Sequence, residues 1–124
     1  TLNGKRIRVS ASTELKDGSV AGPLLIPLSA RQLEGKLTEI GVKKYNLGSV
    51  ALDLAYVAAG KLDCVWRDSS DRAEVAAGVV LVREAGGLCA DLNGGAEHFN
   101  SGNIVAATPK CLREFCSLTR KLSF

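Results

Sequence analysis

Read from its amino end, the chain changes the period of its apolar positions several times. Residues 6–10 alternate polar and apolar, the pattern of a half-buried strand. Asp17-Gly18 marks a turn, and Pro23 and Pro27 bracket a short apolar run. Leu33, Leu37 and Ile40 then recur at helical spacing, which predicts a helix over residues 30–40, capped by Ser29 and stopped by Gly41. A short extended piece over 44–47 leads to Ser49, the expected cap of a second helix that runs through Ala59 and ends at Gly60. Val50, Leu52, Leu54, Ala55, Val57 and Ala58 leave that helix apolar on almost every side, so it is expected to lie buried between layers.

Beyond it, residues 62–66 read as a buried strand and 74–87 as a third helix. Residues 88–92 read as a strand before an Asn93-Gly94 turn. Residues 104–107 are apolar and β-prone. Thr108-Pro109 supplies an N-cap and first-turn proline for a terminal helix that turns Leu112, Phe115 and Cys116 inward. Strands alternating with helices predict an α/β fold: one domain over 1–124, a layered mixed or mostly parallel sheet flanked by helices.

Composition narrows the classes. With 124 residues, 46% apolar and 23% charged, the chain can bury a core, and disorder is excluded. The net charge of +3 is scattered over short clusters such as Lys5-Arg6 and Arg120-Lys121, without interleaved aromatics, so no nucleic-acid groove is expected. No apolar run reaches the length of a membrane span, and no signal peptide is read. The four cysteines, at 64, 89, 111 and 116, form no CxxC pair or Cys/His cluster. Zinc is therefore not expected, and reduced thiols in a cytoplasmic protein are. The chain opens on Thr1 and has no methionine, which points to a processed product or a fragment.

Two helix entrances could carry chemistry. At Gly48-Ser49, backbone N–H groups beside a small residue make a natural anion site, although a turn glycine and an ordinary N-cap explain the pair more simply. Asp71 followed by Glu74 has the spacing of a capping box, and the alternative for Glu74 is a hard oxygen ligand for Mg²⁺. His98 is expected to be exposed, and Trp66 to serve in packing. Phosphate-loop, nucleophile-elbow and dinucleotide fingerprints are absent.

Taken together, the two entrances carry a resemblance. "LGSVALDLAYVAAGKLD", followed after a short gap by "EVAAGVVLVREAGG", resembles the carboxyl-terminal half of the inositol monophosphatase family, Mg²⁺-dependent and lithium-sensitive phosphomonoesterases. Ala76-Ala77-Gly78 and Glu84-Ala85-Gly86-Gly87 fit the family's second signature, and "GNIVAATP" is similar to its penultimate strand. The resemblance is good from Leu47 onward and loose over residues 1–46. It implies that Gly48 and Ser49 contact the sugar or inositol moiety. By the same resemblance, Arg67 stands where inositol-specific members carry a substrate-binding Glu, and Glu74 replaces a metal-ligating Asp. It also implies hydrolysis assisted by clustered Mg²⁺, with small residues keeping the approach to the third helix clear.

Two departures bear on activity. Ala73-Glu74 replaces the family's Trp-Asp, and the Asp-Pro-x-Asp-Gly-Thr run that carries the other metal ligands is not found. The expectation is therefore the substrate-side half of a phosphatase of inositol, sugar or nucleotide phosphates. It would be inactive alone and would pair with an amino-terminal half or with itself. The alternative is a non-catalytic module acting in binding or assembly.

Overall fold

The computed structural model describes residues 7–23, 25, 26, 28–93, 95 and 103–120, without the side chain of Ser29. Five strands, β1 (Ser19–Ala21), β2 (Lys43–Tyr45), β3 (Cys64–Arg67), β4 (Leu88–Ala90) and β5 (Ile104–Ala107), form one sheet in the order β2-β1-β3-β5-β4. β2, β1 and β3 are parallel, while β5 runs antiparallel to both β3 and β4, so the sheet is mixed. Four helices complete the fold: α1 (Arg31–Ile40), α2 (Val50–Ala58), α3 (Arg72–Glu84) and α4 (Pro109–Thr119).

Strand alternation sorts side chains onto two faces. Val20, Cys64, Trp66, Val105 and Ala107 turn toward α1 and α4, where they join Leu33, Leu37, Leu112 and Phe115. Ala21, Val65, Ile104 and Ala106 turn the other way, toward Val50, Leu54 and Val57 of α2 and Val75, Val79 and Val82 of α3. Three layers result, with the sheet in the middle. Trp66 belongs to the core, its ring tilted 42° against Phe115 at 6.4 Å between centroids.

Some expectations shift. Residues 7–10 form no strand. Their alternation is real in burial, since Ile7 and Val9 pack on the α2–α3 core. The backbone, however, bonds elsewhere: the Val9 N–H donates to the Ala85 carbonyl at 3.0 Å. The Ser10 and Ser12 hydroxyls then donate to Asp63 at 2.5 and 2.7 Å, joined by the Ser19 N–H at 2.8 Å. Burial pushes the Asp63 carboxyl up, but these hydrogen bonds outweigh it and hold it below its ordinary value. The strand that does enter the sheet here is β1, three residues long.

α1 begins after a short 3-10 turn over Leu28–Ala30, and its N-cap, Ala30, makes no side-chain bond. Thr108 is the N-cap of α4 by position, but its hydroxyl donates to the Ser12 carbonyl at 2.8 Å instead of capping. His98 and Gly94 lie outside the described residues.

α2 is less covered than its composition implies. Leu52 and Tyr56 are 42% and 41% exposed, because only the side facing β3 and α3 is packed. The smallness of Gly78 has a packing cause. A β-carbon there would lie 2.3 Å from Leu54 Cδ1 and 2.7 Å from its Cβ, so glycine is what lets α3 press against α2. All four cysteines are free; Cys64, Cys111 and Cys116 are buried. Burial pushes the Cys89 thiol up to about 11, with Arg83 offsetting part of that rise.

Candidate functional site

In an open sheet, ligands settle beyond the carboxyl ends of parallel strands, where successive connections leave for opposite faces. That arrangement occurs here. After β1 the chain goes to α1 on one face, and after β2 and β3 it goes to α2 and α3 on the other. Past these strand ends lies an open cleft of about 550 Å³, lined by Pro23, Asn46, Gly48, Ser49, Val50, Glu74 and the segment 67–71. Gly48, Ser49, Arg67 and Glu74, separated in sequence, stand in its wall together.

The Gly48 turn has a local cause. Its φ of +101° lies in the left-handed region, where a β-carbon is penalised. Asn46 holds the turn: its side-chain amide donates to the Gly22 carbonyl at 2.8 Å, and its Oδ1 accepts from the Gly48 N–H at 2.8 Å. Ser49 then caps α2, its hydroxyl oxygen accepting from the Leu52 N–H at 3.1 Å. The cap reading of Ser49 is thus correct, and the capped helix start borders the cleft.

Arg67, at the end of β3, is buried and faces the α2 side. Its guanidinium pairs with the fully buried Asp53 of α2 and also donates to the Trp66 carbonyl at 2.9 Å. The second oxygen of Asp53 accepts from the Leu47 N–H at 3.1 Å. This pair ties α2, β3 and the strand-to-helix turn into one unit. Neither Asp53 nor Asn46 emerged from the sequence. A signal for Asp53 existed, since a lone acid on a helix apolar all round must find a buried partner.

At the mouth of α3 the cap is Asp71, whose Oδ1 accepts from the N–H groups of Ala73 and Glu74 at 2.9 and 3.1 Å. The reciprocal half of the expected capping box does not form. The half-buried Glu74 carboxylate has no hydrogen-bond or ion-pair partner among the described residues. Exchanging Glu74 for Gln removes only a charge near the helix dipole and should cost about 1 kcal/mol or less. Asp71→Ala, which orphans two N–H groups, should cost about 1 kcal/mol or more. Urea melts of the two variants check this order. A Glu74→Gln loss of several kcal/mol would show a partner for that carboxylate.

Electrostatically the wall is acidic. Asp68, Asp71 and Glu74 line it, while its one cation, Arg67, is already matched by Asp53. The Mg²⁺ implied by the family resemblance needs near-octahedral oxygen donors. Among the described residues, no group of three or more His, Cys, Asp or Glu could hold a metal ion. Glu74 offers one free carboxylate toward such a site, and the described residues do not close it.

Comparison with known proteins agrees with this layout. The model of the inositol monophosphatase family matches residues 1–123, so the first 46 residues belong to the same match as the rest. An inositol-1-monophosphatase of Mesorhizobium japonicum is 33% identical over 132 aligned positions, covering 97% of this chain and 47% of that protein. Nus factor SuhB of Escherichia coli is 40% identical over 119 positions, covering 90% of this chain and 44% of the relative. Among solved structures, the extragenic suppressor protein SuhB of Bartonella henselae superposes with a TM-score of 0.83 at 34% identity, covering 95% of this chain and 48% of that one. The inositol monophosphatase of Anabaena does so at 0.82 and 29% identity, over 98% of this chain and 51% of that one. The chain spans about half the length of the relatives it matches. It belongs to the inositol monophosphatase family.

Proposed function

We propose that the chain forms the substrate-side wall of a phosphate monoester hydrolase, holding the hydroxyl-bearing part of an inositol, sugar or nucleotide phosphate. One observation carries this reading: Gly48, Ser49, Arg67 and Glu74, the positions the family resemblance selects, line one cleft beyond the strand ends.

The chemistry of that wall suits a polyol better than a phosphate. Asn46, Ser49, Ser69 and Ser70 offer neutral polar groups, and Asp68 and Glu74 offer carboxylates that accept hydrogen bonds from hydroxyls. The first-turn N–H groups of α2 and the adjoining Gly48 backbone can reach a ligand oxygen without a side chain in the way. Arg67, matched by Asp53, acts by holding this wall in place and by lining it. The same acids repel a phosphate dianion. The positive charge that binds and activates the phosphate must come from groups outside this wall, and Glu74 would contribute one ligand to them.

Two further features support a chain that works with more protein than itself. Leu52 and Tyr56 of α2 and Val80 and Leu81 of α3 are exposed, and the chain spans about half of its relatives. The part of the family chain that it does not span would cover those apolar groups. A cytoplasmic setting, which keeps thiols reduced, is consistent with four free cysteines. Among the described residues no helix is long and apolar enough to cross a membrane.

Amide chemical-shift mapping with myo-inositol 1-phosphate, fructose 1,6-bisphosphate and a 3′-phosphonucleotide tests the reading. Perturbations should centre on Gly48, Ser49, Val50 and Ser69. A cleft silent to all three would favour the second reading, a non-catalytic module in binding or assembly. That reading draws on Ala73-Glu74 in place of Trp-Asp and on the relatives named Nus factor SuhB.

A further inference from the structure

A second cavity, about 310 Å³, opens on the α1 side of the sheet, between α1 and the ends of β1 and β2. Val20, Ile26, Leu37 and Trp66 give it an apolar lining. Its charged pair, Glu34 and Lys44, is an ion pair at 2.5 Å, so the walls carry no unmatched charge. The cleft described above is acidic instead; the two share only Pro23 and Asn46.

Trp66 distinguishes this cavity from an incidental hollow. The residue is 1% exposed, yet its indole N–H makes no hydrogen bond among the described residues. Buried indole N–H groups nearly always find an acceptor, because an unmet donor costs free energy. The residue beside this N–H edge is Gly22, also in the cavity wall. A β-carbon there would lie 2.9 Å from Nε1 and 3.2 Å from Cε2. Gly22 has no positive φ, so its turn does not require glycine. What the missing side chain preserves is open space at the donor.

We propose that this cavity binds a small, uncharged, mostly apolar molecule whose single hydrogen-bond acceptor takes the Trp66 N–H. The volume sits at the small end of ligand pockets, about 300–1,000 Å³, and admits roughly one ring with a short substituent. Matched wall charges favour a neutral ligand over an ion. An acceptor-free molecule of the same shape enters less well, because it displaces any water on the N–H and leaves the donor unmet.

The chain has one tryptophan, so its indole N–H gives a single resonance that reports on the site directly. Titration with benzamide should move that resonance saturably, and toluene should bind at least about tenfold more weakly. Gly22→Ala should abolish benzamide binding. Trp66→Phe, followed by ligand-observed saturation transfer, should bring the two probes within about threefold, and it serves equally if Gly22→Ala fails to fold. An indole resonance unmoved up to the solubility limit of benzamide overturns the proposal. So does equal binding of both probes to the unaltered chain, or full binding by folded Gly22→Ala.

Discussion

Replacing Asp53 with alanine is expected to cost about 3–5 kcal/mol, the largest loss of any single change in the cleft wall. Asp53 is fully buried and pairs with Arg67, itself buried. Its other oxygen takes the Leu47 N–H. Deleting the carboxylate strands a guanidinium in a low-dielectric interior and orphans a backbone donor. Both penalties fall on the turn that presents Gly48 and Ser49. Domains of this size hold about 5–15 kcal/mol in total, so the variant should melt at far lower urea and lose any ligand response at Gly48. The double change Asp53→Leu with Arg67→Met removes both charges and should recover most of the loss, since buried pairs seldom outperform well-packed apolar replacements. A loss below about 1 kcal/mol for Asp53→Ala would mean that the guanidinium reaches water.

The second large effect lies at Gly78. Valine there should cost about 3 kcal/mol by overpacking, because even the first added carbon would overlap Leu54. Alanine sets two terms against each other. An exposed helical glycine gains about 1 kcal/mol on becoming alanine. Here a β-carbon 2.7 Å from the Leu54 Cβ meets an atom that cannot swing aside. Net destabilisation is therefore expected, with partial relief when Leu54→Ala is added. Stabilisation by Gly78→Ala in a denaturant melt would show that α2 and α3 can separate freely.

The two sites also show what the sequence revealed and what it concealed. β5 is legible to the residue because Ile104–Ala107 is short, β-prone and set between a polar loop and Thr108-Pro109. The helix starts at Ser49 and Asp71 are legible because a capping side chain acts over three residues. β1 escaped notice for the opposite reason. Three residues between Gly18 and Gly22 show no period, and Ser19–Ala21 is a strand only because β2 and β3 flank it. Residues 6–10 misled in turn, since half-burial produces alternation whether the backbone pairs in a sheet or bonds to Ala85.

For the cleft, residue types were visible but their convergence was not. Gly48, Arg67 and Glu74 meet only through the order of the parallel strands. Asn46 gave no signal, because its two hydrogen bonds join backbone groups 24 and two residues away.

The central claim is that this wall binds substrate without completing the catalytic centre. Phosphate release by the pure chain measures it most directly, with myo-inositol 1-phosphate, fructose 1,6-bisphosphate and a 3′-phosphonucleotide at saturating Mg²⁺. The account predicts no release above background, because Glu74 is one ligand and one carboxylate does not hold a catalytic ion. Clear turnover by the chain alone, dependent on Mg²⁺ and inhibited by lithium, would contradict it.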